Sequence, residues 1–91
     1  MSARLLSAAE VQHMLSQGYR IIDIRSADEY RREHISGSEN ISVSELAAHD
    51  LRDQKVIFSC LSGMRTQSSA PQLAASVGAE QALLLEGGLN A

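Results

Sequence analysis

The chain has 91 residues, a formal net charge of −3, 44% hydrophobic residues and 21% charged residues. This length predicts one small domain with a modest core, and the composition is that of a globular protein rather than a disordered one. The acidic balance, the absence of a basic run and an aromatic content of 3% exclude the usual kind of nucleic-acid-binding surface.

Cys60 is the single cysteine, which excludes an intramolecular disulfide and a thiol-rich zinc site. His13, His34 and His49 lack metal-ligand spacing and are interpreted as solvated or structural, although a dyad of His34 with Cys60 is conceivable. A lone thiol suits a reducing compartment, and neither an apolar signal core nor a membrane-length segment occurs. We therefore predict a cytoplasmic protein without direct membrane contact.

The first half of the chain alternates strand and helix patterns. Ser7 with Glu10 and Ser26 with Glu29 have capping-box spacing, and Gly18 follows the first helical pattern as a C-terminal cap. A nearly continuous apolar run before Arg25 is typical of a buried parallel strand. We predict an edge strand at 4–6, a helix at about 8–16, a strand at 19–24, a short helix from about 27 to 33, a strand at 40–42 and a helix at about 45–49 capped by Ser44.

The second half centres on a buried strand, residues 56–58, that ends at Cys60. A helix is predicted to begin near Arg65 and to present an apolar face, with Gly78 as its C-terminal cap. Pro71 predicts a kink or an irregular first turn in this helix. A last buried strand covers residues 82–85. The alternation predicts an α/β fold with a small central parallel β-sheet flanked by helices on both faces.

The segment after Cys60 has the composition of an anion-binding loop. A thiol between a strand end and a helix start lies where an anion, including the thiolate, is favoured. Gly63 lets the chain curl and aim N–H groups inward, Arg65 adds a positive fork, and Ser62 and Thr66 add hydroxyl groups. These features suit a nucleophilic thiolate that attacks an anionic substrate.

Structural interpretations compete with this one. A cysteine without context is usually a small buried hydrophobic residue, although the strand–loop–helix setting of Cys60 favours a nucleophile. Arg65 could be a surface residue, but a positive charge near a helix start opposes the helix dipole. Asp23, at the end of the second strand, could support the site, or it could merely hydrogen-bond the next helix or pair with Arg25. In open parallel sheets, sites lie at the carboxyl ends of strands, where Asp23 and Cys60 are expected to meet.

Several motifs, in order along the chain, resemble those of rhodanese-homology domains. Together they are specific, whereas any one alone would be weak. They are Ile21–Arg25, Glu29–Tyr30, His34–Ser38, Asn40–Ile41, the loop Cys60–Thr66 and the segment Leu85–Leu89.

The resemblance implies a rhodanese-like fold and a thiosulfate sulfurtransferase. Cys60 would take a sulfane sulfur from thiosulfate or another persulfide-type donor, carry it as a persulfide and pass it to cyanide, a thiol or a protein acceptor. Asp23 and Arg25 would support the pocket, and neither a metal nor an organic cofactor is implied. The loop residues implied in substrate binding are Leu61, Ser62, Gly63, Met64, Arg65 and Thr66.

Two alternative functions compete with the sulfurtransferase interpretation. Four residues separate Cys60 from Arg65, a shorter loop than that of the related tyrosine phosphatases, which disfavours a phosphatase. A non-turnover persulfide carrier, or a redox or regulatory binding module, remains the alternative function. Arg65 is the only charge of the loop, so thiosulfate, a dianion, is expected to be a poorer donor than a persulfide.

The chain departs from the family pattern in two places. Ser36 stands where many members have proline, a change that should be tolerated. Members usually continue beyond the segment that ends here with a tryptophan and a further helix. We therefore expect residues 1–91 to be one rhodanese-like domain, truncated at its C-terminus or part of a longer protein, that lacks the usual C-terminal helix and is less stable or covered by a partner.

Overall fold

The computed structural model describes residues 3–49, 51–52, 54–60, 64–79 and 81–88. Within these residues all the strands pair in parallel in one sheet, whose spatial order is first, fifth, fourth, second, third. The parallel α/β sheet predicted from the sequence is thereby confirmed. The strands are β1 (Ala3–Leu6), β2 (Arg20–Asp23), β3 (Glu39–Asn40), β4 (Val56–Ser59) and β5 (Ala82–Leu85).

Side chains alternate along each strand, so apolar side chains point to both faces of the sheet. Helices cover both of these faces. On β4, Ile57 points to the face that packs with Val11, and Phe58 points to the face that packs with Leu73. None of the described helices is long and apolar enough to cross a membrane. The helical segments are α1 (Ala8–Leu15), α2 (Ala27–Arg32), a 3₁₀ helix (Val43–Ala48), α3 (Met64–Ser68) and α4 (Ala70–Ser76).

The predicted capping boxes start α1 and α2. The Glu10 N–H donates to Ser7 Oγ at 3.2 Å, and the Ser7 N–H donates to Glu10 Oε1 at 3.0 Å. In the same way, the Glu29 N–H donates to Ser26 Oγ at 3.3 Å. Gly18 has a φ of +92° just after α1, which confirms it as the glycine that ends this helix.

The helix predicted at 45–49 begins earlier and is not capped by Ser44. It is a 3₁₀ helix that starts at Val43, with Ser42 before it. The Glu45 carboxylate accepts from the Ser42 N–H at 3.2 Å and from Ser42 Oγ at 2.7 Å. The prediction was wrong because Ser42 and Glu45 have the capping-box spacing, whereas Ser44 has no acidic residue three positions on. The preceding strand is also shorter than predicted and ends at Asn40.

Pro71 interrupts the last helical region more completely than the predicted kink or irregular first turn, because the region is divided into two helices. α3 ends at Ser68 and α4 begins at Ala70, so Pro71 lies in the first turn of a new helix. A proline in that turn removes no intrahelical hydrogen bond. Ala70, Leu73 and Ala74 then bury one face of α4 against the sheet.

Candidate active site

The carboxyl ends of β2 and β4 lie side by side. Asp23 is in register with Ser59, and the Ile24 N–H donates to the Ser59 carbonyl at 3.0 Å. Cys60 directly follows β4 and is 1% exposed. The predicted meeting of the Asp23 region with Cys60 at one edge of the sheet is therefore observed. Burial also keeps water from the sulfur, so neighbouring charges act on it more strongly than they would in bulk solvent.

The predicted anion loop is described only in its second half. Leu61, Ser62 and Gly63 lie outside the described residues. α3 begins at Met64, whose side chain is 71% exposed, whereas Thr66 is fully buried. The two residues thus face opposite environments, and the Met64 side chain does not line an enclosed pocket.

Asp23 and Arg25 form a buried ion pair. Arg25 Nη2 lies 2.8 Å from Asp23 Oδ2, Arg25 Nε lies 3.0 Å from Asp23 Oδ1, and the Arg25 backbone N–H also donates to Asp23 Oδ1 at 2.9 Å. The side chains are only 4% and 3% exposed. These hydrogen bonds raise the pKa of Arg25, with burial opposing them. The pairing that the sequence left open is present.

This buried pair joins three elements at the site's edge. Arg25 Nη2 also donates to the Glu33 carbonyl at 2.6 Å, just past the end of α2. Asn40 Nδ2 of β3 donates to the carbonyls of Asp23 and Arg25 at 3.1 and 2.9 Å. The turn that leaves β2 is therefore held on both sides, which suits a supporting role.

Arg65 is paired with Glu29 of α2 in a parallel fork. Arg65 Nη1 donates to Glu29 Oε1 at 2.8 Å, and Nη2 donates to Glu29 Oε2 at 2.7 Å. The side chains are 49% and 30% exposed. The sequence interpretation gave Glu29 only a helix-capping role, and a separation of 36 residues gives no local signal of this contact. Glu29 and Arg65 each lie in a motif of the family resemblance, and no other sequence signal connects them.

The charges of the two pairs act on one another. The pKa of Glu29 is lowered to about 2, and the main cause is its hydrogen bonding with Arg65. The pKa of Arg65 is raised, mainly by those hydrogen bonds, with smaller contributions from Cys60 and Asp23. Glu29 and Arg65 likewise act with opposite signs on Arg25. Two guanidinium groups and two carboxylates thus lie within electrostatic reach of each other, and their formal charges sum to zero.

His34 takes a structural position on α2's C-terminal side. Its ring stacks on Tyr30 with centroids 3.9 Å apart, and its Nδ1–H donates to the Tyr30 carbonyl at 2.7 Å. The Tyr30 hydroxyl in turn donates to the carbonyl of Ser38. These contacts favour the structural interpretation of His34 over a dyad with Cys60.

A cleft of about 590 Å³ lies between the 3₁₀ helix and α4. Leu46, His49, Gln72 and Ala75 are among its lining residues. Of the predicted site residues that the structure describes, none lines it. The cleft is therefore separate from the candidate site.

Comparison with known proteins places this site in a family context. The model of the Rhodanese-like domain matches residues 7–91. Thiosulfate sulfurtransferase GlpE of Ectopseudomonas mendocina (strain ymp) is 34% identical over 88 residues, which cover 93% of this chain and 80% of that protein.

Solved structures share the fold. Human single-domain sulfurtransferase TSTD1 superposes with a TM-score of 0.74 at 33% identity, covering 94% of this chain and 91% of that one. Reduced CoADR-RHD of Bacillus anthracis gives a TM-score of 0.81 at 25% identity. The match covers 98% of this chain but only 16% of that longer one.

Proposed function

The chain belongs to the rhodanese-like domain family, and on that premise we propose that it is a sulfurtransferase whose nucleophile is the Cys60 thiolate. One observation carries the proposal: Cys60 directly follows β4 at the sheet edge where ligands of parallel α/β folds bind, within electrostatic reach of Arg65. Relatives named as thiosulfate sulfurtransferases support the activity. Thiosulfate or a persulfide is the proposed donor.

In the first half-reaction the Cys60 sulfur attacks the outer sulfur of the donor. A new S–S bond forms, and the S–S bond within thiosulfate breaks. Sulfite leaves with the bonding electron pair, and Cys60 becomes a persulfide. With a persulfide donor the leaving group is the donor's thiolate. The reaction needs no oxidant because the sulfane sulfur carries its own oxidation state across.

In the second half-reaction the acceptor attacks the outer sulfur of the Cys60 persulfide. Cyanide would leave as thiocyanate and a thiol as a persulfide, and either step restores the Cys60 thiolate. A protein thiol is a further proposed acceptor. Because a lone cysteine suits a reducing compartment, we place the reaction in the cytoplasm.

The other predicted site residues take proposed roles around this nucleophile. The backbone of the loop from Leu61 to Arg65 would surround the transferred sulfur, with Ser62 and Thr66 as hydroxyl donors. Arg65 would attract the donor's anionic end. The buried Asp23–Arg25 pair would hold the end of β2 beside Cys60, which supports the pocket without touching the donor.

The test is turnover measured on purified protein with thiosulfate and cyanide. We expect thiocyanate and sulfite to form in equal amounts over many cycles, and we expect Cys60→Ser to abolish both products while remaining folded. A single stoichiometric transfer without turnover would instead indicate the carrier function. Unchanged thiocyanate formation by Cys60→Ser would refute Cys60 as the nucleophile.

A further inference from the structure

We propose that Glu29 sets the charge preference of the site for its sulfur donor, and that it favours a persulfide over the thiosulfate dianion. This inference rests on the proposed sulfurtransferase function. It goes beyond that function because it assigns the donor preference to a residue outside the loop. Glu29 would act through Arg65, which makes it a positioning and specificity-determining residue rather than a catalytic one.

The geometry of the Arg65–Glu29 ion pair supports this inference. Both terminal nitrogens of Arg65 donate to Glu29, at 2.8 and 2.7 Å. A thiosulfate ion that approached Arg65 would therefore meet a guanidinium whose two terminal nitrogens already bind a carboxylate. Glu29 is also acidic enough, with its pKa lowered to about 2 by Arg65 above all, to remain charged at any physiological pH.

The neighbouring Asp23–Arg25 ion pair adds no net positive charge that could attract thiosulfate. Arg25 is a second cation that interacts electrostatically with Arg65, and its guanidinium is held by Asp23 at 2.8–3.1 Å with both side chains buried. These four groups sum to zero. With the Cys60 thiolate added, these five groups total −1. This net negative charge repels a dianion more than a monoanionic or neutral donor.

The effect of Glu29 on donor preference is measurable because the two donors differ in charge. Thiosulfate carries two negative charges, whereas a small alkyl persulfide carries at most one at its sulfane end. Replacing Glu29 by Gln removes one negative charge, yet the amide oxygen can still accept the hydrogen bond that Glu29 Oε1 accepts from the Ser26 N–H. Any loss of Arg65 positioning would slow both donors, so the ratio of the two kcat/KM values isolates the effect of charge.

The experiment compares the ratio of kcat/KM for thiosulfate to kcat/KM for a small alkyl persulfide in four proteins. In Glu29→Gln we expect the ratio to rise roughly three- to tenfold above that of the parent. Glu29→Asp keeps the charge and should stay within about twofold of the parent. Asp28→Asn is the matched control: the same helix, the same change in net charge, and a side chain paired with Arg31 at the surface.

Three outcomes would overturn the inference. The first is an unchanged ratio in Glu29→Gln, and the second is an equal rise in Asp28→Asn, which would reflect net charge alone. The third is the absence of Cys60-dependent transfer from either donor in the parent protein, which would refute the proposed function as well. Sulfur transfer with an unchanged ratio would refute the inference only.

The salt dependence of kcat/KM in the parent protein tests the inference without any substitution. If the site repels thiosulfate, screening by salt should leave kcat/KM for thiosulfate unchanged or raise it between about 20 and about 200 mM NaCl. A severalfold fall over that range would show that the dianion meets a positive site, and it would contradict the inference.

Discussion

The guanidinium of Arg65 and the carboxylate of Glu29 face each other as two parallel forks, joined by hydrogen bonds of 2.8 and 2.7 Å. The pair connects α3, which follows the loop after Cys60, to α2, which follows the end of β2. It thereby fixes where the loop's positive charge lies relative to the sulfur.

The Glu29 pair should give the protein a defined acid sensitivity. Folding lowers the pKa of Glu29 from 4.5 to about 2, with Arg65 as the main cause, so its stabilising contribution is complete above pH 4.5 and is lost as the pH falls toward 2. Urea unfolding of the parent and Glu29→Gln should show a constant difference in unfolding free energy from about pH 5 to about pH 8. The difference should shrink below pH 4.5. A difference that grows on acidification would contradict the assignment.

Arg65→Gln should lower kcat/KM for thiosulfate by about tenfold or more, because it leaves the negative charge of Glu29 unopposed near the donor. The double variant Glu29→Gln/Arg65→Gln should recover part of that loss, since the repelling charge is also removed. Steady-state kinetics on the two single variants and the double variant give the coupling. Strictly multiplicative effects would argue that the two side chains act independently.

Loss of one partner of the buried Asp23–Arg25 pair should be costly. Arg25→Met leaves the Asp23 carboxylate buried without its counter-charge, so we expect about 3–5 kcal/mol of destabilisation in urea unfolding. Asp23→Leu in the same background should restore part of it. No recovery in the double variant would mean that the cost comes from packing rather than from charge.

Arg20 and Glu39 provide the matched surface control. They also form a bidentate pair, at 2.7 and 2.8 Å, but their side chains are 38% and 44% exposed, about ten times more than those of Asp23 and Arg25. Arg20→Gln should therefore change the free energy of unfolding by about 1 kcal/mol or less. A loss as large as that of Arg25→Met would show that burial is not the deciding difference.

Met64→Ala should leave both stability and catalysis nearly unchanged. Its side chain is mostly solvent-exposed, so truncation should alter the unfolding free energy by about 0.5 kcal/mol or less and kcat/KM by less than about twofold. Thr66→Val is the contrasting variant, since it removes a fully buried hydroxyl and should cost about 1–3 kcal/mol. A tenfold loss of activity in Met64→Ala would place that side chain against the donor.

Much of the fold could be predicted from local patterns. The capping boxes of Ser7 and Ser26 begin helices where predicted, and Pro71 begins a new helix, because these signals depend on residues within one turn of each other. The start of the 3₁₀ helix is also encoded locally, by the capping-box spacing of Ser42 and Glu45 rather than by Ser44.

The candidate site was predictable only in part. Cys60 and Asp23 could be placed at one edge because parallel strands bring their carboxyl ends together. The fork between Glu29 and Arg65 joins residues 36 positions apart, and its geometry depends on how α2 and α3 pack. No periodicity records such a contact. This contact places a negative charge directly beside the loop's arginine.

The central claim, that Cys60 carries sulfur, is tested most directly by the intact mass of the protein after incubation with thiosulfate and with a small alkyl persulfide. We predict that the parent gains the mass of one sulfur atom from at least one donor and loses it on addition of cyanide. The folded Cys60→Ser variant should gain nothing. An equal gain in Cys60→Ser, or no gain by the folded parent from either donor, would contradict the claim.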